Sequence, residues 1–264
     1  MQKTDCLVDI GVNFHSSQLT GLTATLLTRA KEAGVTRILA TGTSLKSSQQ
    51  ALDLARAEPG TVYATAGVHP HTAKDWSPAV AAAIHVMLED PAVVAVGECG
   101  LDYNRDFSPR DIQRAVFEAQ LQSAIDTHKP LFLHCRDAFT DFHALLAPAV
   151  QAGAHGVVHC FTGNRAEAEA FIEMGLDIGI TGWVTDLKRG ADLRDAVAHI
   201  PLAHLHLETD APYLGPKNTT KRRPYNEPAN LPYVAQAIAE LKQLPVSDVV
   251  RQCTQNSERL FSLP

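Results

Sequence analysis

The sequence has no excess of basic residues, no cysteine framework and no long apolar run. Lys and Arg number 23 against 29 Asp and Glu, a formal net charge of −6. General electrostatic attachment to polyanions is therefore excluded as a default. Any affinity for phosphate must come from a local basic patch or from bound cations. The five cysteines, Cys6, Cys99, Cys135, Cys160 and Cys253, are an odd and sparse set. That is too few for a disulfide scaffold and fits a reducing, cytoplasmic setting. No stretch approaches the roughly 18 uninterrupted apolar residues of a membrane span, so no membrane partner is expected. Met1–Asp9 has neither a basic n-region nor a long apolar h-region, so no secretory signal is expected there. Internal repeats, low-complexity tracts and Cys-x-x-Cys pairs are missing. So is any helix-turn-helix motif, which argues against sequence-specific reading of a duplex.

What is present is an ordinary globular composition, 45% hydrophobic and 20% charged over 264 residues. A chain of this length hides roughly three-quarters of its unfolded surface. Short β-branched runs alternate with longer amphipathic segments. The expected strands are Cys6–Asp9, Val35–Thr41, Thr61–Gly67, Ala92–Glu98, Pro130–His134, Gly156–His159, Leu176–Thr181 and Leu205–Thr209. The expected helices are Thr23–Ala33, Ser47–Ala57, Pro78–Glu89, Pro109–Thr127, Phe139–Val150, Arg165–Met174 and Ala191–Ala198, with Leu231–Leu244 and Ser247–Leu260 at the end. Such alternation predicts a parallel sheet with helical crossovers. Eight units predict a single-domain α/β fold over residues 1–264, a (β/α)₈ TIM barrel, with an open doubly wound sheet as the alternative. Gly34 and Gly153 are placed to stop helices. Ser108 is placed as a cap before Pro109 at the first helical position. The irregular stretch from Asp210 to Asn230 is too long for a mere connection and follows the last strand, where a barrel carries active-site loops.

Ionisable residues fall at the ends of the predicted strands. Glu98, His134, His159 and Asp210 each terminate or follow an apolar run. In a barrel these ends share one mouth, and two imidazoles with two carboxylates form a mixed N/O ligand set for a divalent cation. Taken singly, any one of these histidines reads as a satisfied core residue; four such strand ends favour a metal site. Cys99, Cys135 and Cys160 each follow a proposed ligand. By strand parity they point outward and behave as small hydrophobes. A Cys/His zinc cluster is the competing arrangement. Glu208 shares the Asp210 face one layer deeper, either supporting a ligand histidine or satisfied within the core. His204 and His206 begin the last strand, the wrong end for catalysis, and read as structural. His15, His85, His128, His143, His155 and His199 read as solvated or capping.

Five ordered blocks carry a resemblance: Gly67-Val68-His69-Pro70-His71, Gly97-Glu98-Cys99-Gly100-Leu101-Asp102, His134-Cys135-Arg136-Asp137-Ala138, His159-Cys160-Phe161-Thr162-Gly163 and Glu208-Thr209-Asp210-Ala211-Pro212-Tyr213-Leu214. From Val8 to about Phe261 the chain resembles the TatD-type metal-dependent deoxyribonucleases, within the amidohydrolase-like barrels. The resemblance implies a (β/α)₈ barrel and Mg²⁺-dependent nuclease activity. It implies Glu98, His134 and His159 as metal ligands and Asp210 as a ligand or catalytic acid/base. His69 and Arg136 become substrate contacts, and the catalytic groups are Asp210, His69 and Glu98. One departure matters. Most of the family opens strand one with Asp-x-His-x-His, whereas this chain has Asp9-Ile10-Gly11-Val12-Asn13, similar to the TatD subgroup proper. Asp9 and Asn13 then sit behind the ligands, Asn13 offering at most a weak amide oxygen. One cation keeps a full ligand set and a second is held weakly. Oxygen-rich coordination that keeps water suits Mg²⁺, with Mn²⁺ or Zn²⁺ as alternatives.

The loop after Asp210 holds four cations within seven residues, Lys217, Lys221, Arg222 and Arg223. With Arg105 and Arg136, which follow strand-end motifs, this patch is expected to bind phosphate. Tyr103, Phe107, Phe161, Trp183, Tyr213 and Tyr225 lie near the expected mouth, and packing or base stacking is open for each. The expected function is hydrolysis of nucleic-acid phosphodiesters by a monomer. The resemblance implies 3′-to-5′ trimming of single-stranded DNA or RNA, in repair or turnover. The rival is a metal-dependent ester or amide hydrolase, including an aminoacyl-tRNA deacylase. Glu98 stands where related barrels carry a carbamylated lysine, which weakens the small-molecule version. A non-enzymatic scaffold leaves the four strand ends unexplained.

Overall fold

The structure, a computed structural model, describes residues 6–219 and 223–264. Eight strands follow one another in a single sheet in chain order, with the third and fourth, fourth and fifth, fifth and sixth, and seventh and eighth paired in parallel. The strands are β1 (Leu7–Val12), β2 (Val35–Ala40), β3 (Val62–Ala66), β4 (Val93–Asp102), β5 (Leu131–Arg136), β6 (Gly156–Val158), β7 (Asp177–Ile180) and β8 (Leu205–Leu207). The helices between and after them are α1 (Thr23–Glu32), α2 (Leu45–Ala57), α3 (Pro78–Leu88), α4 (Arg110–Thr127), α5 (Phe139–Gln151), α6 (Arg165–Glu173), α7 (Ala191–His199), α8 (Leu231–Lys242) and α9 (Val246–Phe261). This is the (β/α)₈ topology that the sequence predicts. Among the described residues no helix is long and apolar enough to cross a membrane.

Two compact units can be distinguished. One contains Ala40–His159 and Glu173–Leu176. Its core is built on β4, β5 and β6, whose apolar residues Val96, Leu131, Phe132, Val157 and Val158 are buried. Phe117 of α4 and Phe142 of α5 stack with ring centroids 5.0 Å apart. Helix α2 starts at a capping box, Ser44 with Ser47, and α3 starts with Ser77 capping and Pro78 in the first turn, both reducing the number of unpaired amides at a helix start. Helix α4 begins one residue later than expected, at Arg110. Pro109 takes the cap position, and no side chain caps the helix. Ser108 turns instead to the neighbouring loop, where its Oγ donates to His71 O and accepts from Lys74 N–H, both at 3.1 Å.

The pairing of β4 with β5 carries the main irregularity. Gly97 faces Phe132 and Cys99 faces Leu133, so Glu98 is an extra residue in the ladder, a bulge that re-aims a side chain. Gly97 and Gly100 have φ of +136° and +142°, and a Cβ on either would strike a β5 carbonyl, at 2.2 Å from Phe132 O and 1.9 Å from His134 O. The strand therefore continues through its glycines to Asp102, four residues beyond the expected end.

The other unit contains the residues up to Leu39, Cys160–Ile172 and Asp177–Pro264. Strands β7 and β8 pair with Ile178 opposite Leu205, and Val12 bridges Ala211. Ile10, Ile178, Leu205, Val234 and Ile238 are fully buried in its core. His204 and His206 are structural, as expected. Asp177 takes His204 Nδ1 at 2.8 Å and His206 Nε2 at 3.0 Å, with Arg259 at 3.4 Å, and His206 Nδ1 meets Ser257 Oγ at 2.9 Å. Gly34 and Gly153 follow α1 and α5 in left-handed conformations, φ +85° and +102°.

Candidate metal centre and strand-end loops

Within the first unit, three imidazoles converge on one carboxylate oxygen. Glu98 Oε1 lies 2.7 Å from His159 Nε2, 3.1 Å from His134 Nδ1 and 3.2 Å from His69 Nε2. Among the described residues, the group whose ligand atoms all lie within 4.8 Å of one another is His69, Glu98 and His134. The expected trio Glu98, His134 and His159 is thus brought together, with His69 drawn in beside it. A mixed imidazole and carboxylate set of this kind fits a divalent cation.

Helix α4 positions this cluster through two buried glutamines seven residues apart, hence on one helical face. Gln120 Oε1 accepts the Val68 N–H at 2.7 Å and its Nε2 donates to Val68 O at 2.9 Å, fixing the turn that presents His69. Gln113 Oε1 accepts the Asp102 N–H at 2.9 Å and its Nε2 donates to Ser108 O at 2.8 Å, fixing the end of β4. Each glutamine satisfies backbone groups that burial would otherwise leave costly.

Asp102 was not singled out from the sequence, and neither was His71. Asp102 Oδ2 takes His71 Nε2 at 2.8 Å and His134 Nε2 at 3.2 Å, while Oδ1 accepts the N–H groups of Asn104 and Arg105 at 3.0 and 2.8 Å. His134 is thus held between two carboxylates, Asp102 at Nε2 and Glu98 at Nδ1, and Asp102 fixes the ring from behind, the carboxylate–histidine arrangement typical of a metal ligand. His69 is set the other way. Its Nδ1 accepts the His71 N–H at 3.0 Å, so the neutral ring carries its proton on Nε2, facing Glu98. His69 is therefore arranged as a donor toward Glu98.

The charge states follow from these partners. Burial pushes Glu98 up, but His159 and His69 and the bonds from His134 and His159 hold its carboxyl well below the usual range. Burial drives His69 down to about 4 against the pull of Glu98. His134 is raised because Asp102 and Glu98 outweigh its burial, and Asp102 is lowered because its bonds from His134 and His71 do the same. Burial pushes the Cys99 thiol well up, so it stays a protonated small hydrophobe. Arg105 and Arg136 are exposed at the ends of their motifs. Phe107 is 57% exposed and leans on the His71 ring, centroids 4.8 Å apart.

Within the second unit, Asp210 ends the β8 segment with φ +53°. Its Oδ1 accepts Asn13 Nδ2–H at 2.8 Å, so Asn13 orients that carboxylate through its amide NH₂ group. Among the described residues Asp9 makes no hydrogen bond to an imidazole; it ties β1 to the segment after β8. Its Oδ1 accepts the Thr209 N–H at 2.9 Å and its Oδ2 the Thr209 hydroxyl at 2.6 Å. Desolvation raises the Asp9 carboxyl to about 8, with Thr209 and Gly11 bonds opposing and Glu208 adding to the rise. Glu208 is fully buried and its Oε1 accepts the Cys160 N–H, the satisfied-in-the-core alternative. Arg223 Nε donates to Glu227 at 2.9 Å, and Glu227 also pairs with Arg29. Lys221 and Arg222 lie outside the described residues. Of the aromatics, Tyr103 is engaged by Asp141 and Arg110, Phe161 is core, and Trp183, Tyr213 and Phe107 keep exposed surface.

Comparison with known proteins adds what geometry alone does not. Residues 8–262 match the family model described as TatD related DNase. The 3′-5′ ssDNA/RNA exonuclease TatD of Erwinia billingiae is 48% identical over 260 residues, covering 98% of this chain and 100% of the relative. The protein of the same name from Pantoea vagans is 45% identical, covering 97% and 100%. Among solved structures, the TatD homologue YJJV of Escherichia coli K12 superposes with a TM-score of 0.90 at 30% identity, covering 98% of this chain and 100% of that one.

Proposed function

The chain belongs to the TatD related DNase family, and on that footing we propose that it is a 3′-to-5′ exonuclease hydrolysing phosphodiester bonds of single-stranded DNA and RNA with bound Mg²⁺. The observation that carries the reading is the convergence of His69, His134 and His159 on Glu98 Oε1. Glu98, His134, His159 and Asp210 are the proposed ligands for one or two cations; Mn²⁺ and Zn²⁺ suit the same donors. A bound divalent cation supplies Lewis-acid polarisation of the phosphate and acidifies water.

The remaining roles belong to the chain's own groups. Asp210, aligned by Asn13, accepts the proton that the attacking water releases. His69 donates its Nε2–H to charge developing on the phosphate or the leaving oxygen. Arg136 and Arg105, with Arg223 and the neighbouring Lys221 and Arg222, hold flanking phosphates. Asp102, Asp9 and Asn13 position these groups from behind. We extend the reading to the whole chain, residues 1–264, acting as a single domain and a monomer. The sparse cysteines favour a cytoplasmic setting, in repair or turnover of nucleic acid.

The test is incubation of 5′-labelled single- and double-stranded oligonucleotides with Mg²⁺, Mn²⁺, Zn²⁺ or EDTA. A ladder shortening from the 3′ end, faster on single strands and absent in EDTA, is expected. Hydrolysis of an aminoacyl ester with no ladder would move the assignment to a deacylase.

A further inference from the structure

A cavity of about 310 Å³ opens in the second unit among Gly182, Trp183, Asp186, Arg189, Leu214 and Lys217. It is near the small end of ligand pockets, which start at about 300 Å³. Its walls are the segments that follow β7 and β8, and they are locked together. Thr185 Oγ1 accepts the Lys217 N–H at 2.7 Å and donates to Gly182 O at 2.6 Å. The two segments approach so closely that a Cβ on residue 182 would lie 2.2 Å from Leu214 O.

The floor is an aromatic and a cation held in place. The Arg189 guanidinium stands 4.4 Å over the Trp183 ring. Asp186 Oδ2 pins it from the side, accepting from Nε at 3.0 Å and Nη2 at 2.8 Å, while Oδ1 accepts the N–H groups of Lys188 and Arg189. Asp186 is buried and its charge is answered by Arg189, so the exposed Lys217 leaves a local positive excess in a chain of net charge −6. Trp183 is only partly buried, and Leu187 in the same segment is 78% exposed. A planar aromatic–guanidinium pair beside a lysine is what an unpaired nucleotide needs: a stacking surface for the base and a cation for the phosphate.

We propose that this cavity is a nucleotide subsite for single-stranded nucleic acid, seating a base on the Trp183–Arg189 pair and its phosphate at Lys217. It rests on the nucleic-acid reading above but not on cleavage.

The test is binding of an uncleaved strand, phosphorothioate-linked oligothymidylate in Mg²⁺, by anisotropy and tryptophan emission. The chain has two tryptophans, so Trp76→Phe leaves Trp183 as the reporter. Saturating strand is expected to quench its emission. Trp183→Leu should weaken binding about tenfold, within the range for one lost base stack, and Trp183→Phe should keep most of the affinity. An abasic strand should bind the parent as weakly as the intact strand binds Trp183→Leu. Lys217→Ala should lower the salt slope by about one. Unchanged emission at saturation, or parent-like binding by Trp183→Leu, overturns the proposal. A quench without any cleavage ladder on natural DNA removes the exonuclease reading and leaves the subsite. A ladder without a quench removes the subsite alone.

Discussion

Glu98 and Asp9 are both buried carboxyls on strands, and burial pushes both up. Glu98 nevertheless stays well below the usual range, whereas Asp9 rises to about 8. Asp9 is not short of hydrogen bonds, since Thr209 and Gly11 supply three. Among the described residues its hydrogen-bond partners include no imidazole, and Glu208, the charge that acts on it, is another acid. The comparison teaches that neutral donors soften the cost of a buried carboxylate, while imidazoles reverse it. Only the carboxyl kept anionic is ready to hold a cation. The histidine cluster around Glu98 is therefore the candidate cation site.

The largest expected effect breaks the Glu98 side outright. Chelation by EDTA should abolish cleavage of a labelled single strand. Glu98→Gln should lose more than the roughly 10–100-fold that outer partners of a ligand cost, with an unchanged far-ultraviolet dichroism spectrum. Parent-like rates in that variant would undo the assignment. Asp102→Asn comes next. It leaves the ligands in place and removes the anion behind His134, so Mg²⁺ affinity by calorimetry should fall by about 10–100-fold.

Asp177 sharpens the comparison because it too is flanked by imidazoles, but at the start of β7 rather than at a strand end. Asp177→Asn should cost about 1–3 kcal/mol in denaturant unfolding and leave the cleavage rate per folded molecule unaltered. The pH dependence has a definite sign. The folded Asp177 carboxyl sits below its ordinary 3.8, with its bonds from His206 and His204 outweighing burial. Its contribution is complete above that value and is lost as pH falls through the lower folded value, so parent and variant should converge in acid. Asp9 gives a signal of the opposite sign. Its pKa is 3.8 when unfolded and about 8 when folded. The unfolded chain thus releases a proton that the folded one keeps, and parent stability falls across that window. Melting curves of Asp9→Asn should lack this one-proton slope.

Much of this was legible before the structure. Strand β7 and helices α2 and α5 fall within a residue or two of expectation, because their apolar periodicity is uninterrupted. The convergence of Glu98, His134 and His159 follows from strand ends in a parallel barrel. What escaped did so for physical reasons. Strand β4 was expected to end at Glu98, yet Gly97 and Gly100 let it continue past a bulge to Asp102. Asp102 was thereby left in a loop and its hold on His134 went unseen. Gln113 and Gln120 look like solvent-facing positions of α4, and nothing in a helical pattern says that a polar side chain is buried to serve another segment's backbone. Ser108 was expected to cap the helix before Pro109, but tertiary contacts make it a loop anchor instead.

The two bare α-carbons of β4 also say something about tolerance to change. A methyl group added at 97 or 100 has no soft neighbour to displace, only main chain, chiefly that of β5. That main chain carries His134, so a substitution that adds no charge would separate donor from carboxylate. In a saturation screen for activity these two positions should be as unforgiving as Glu98 itself.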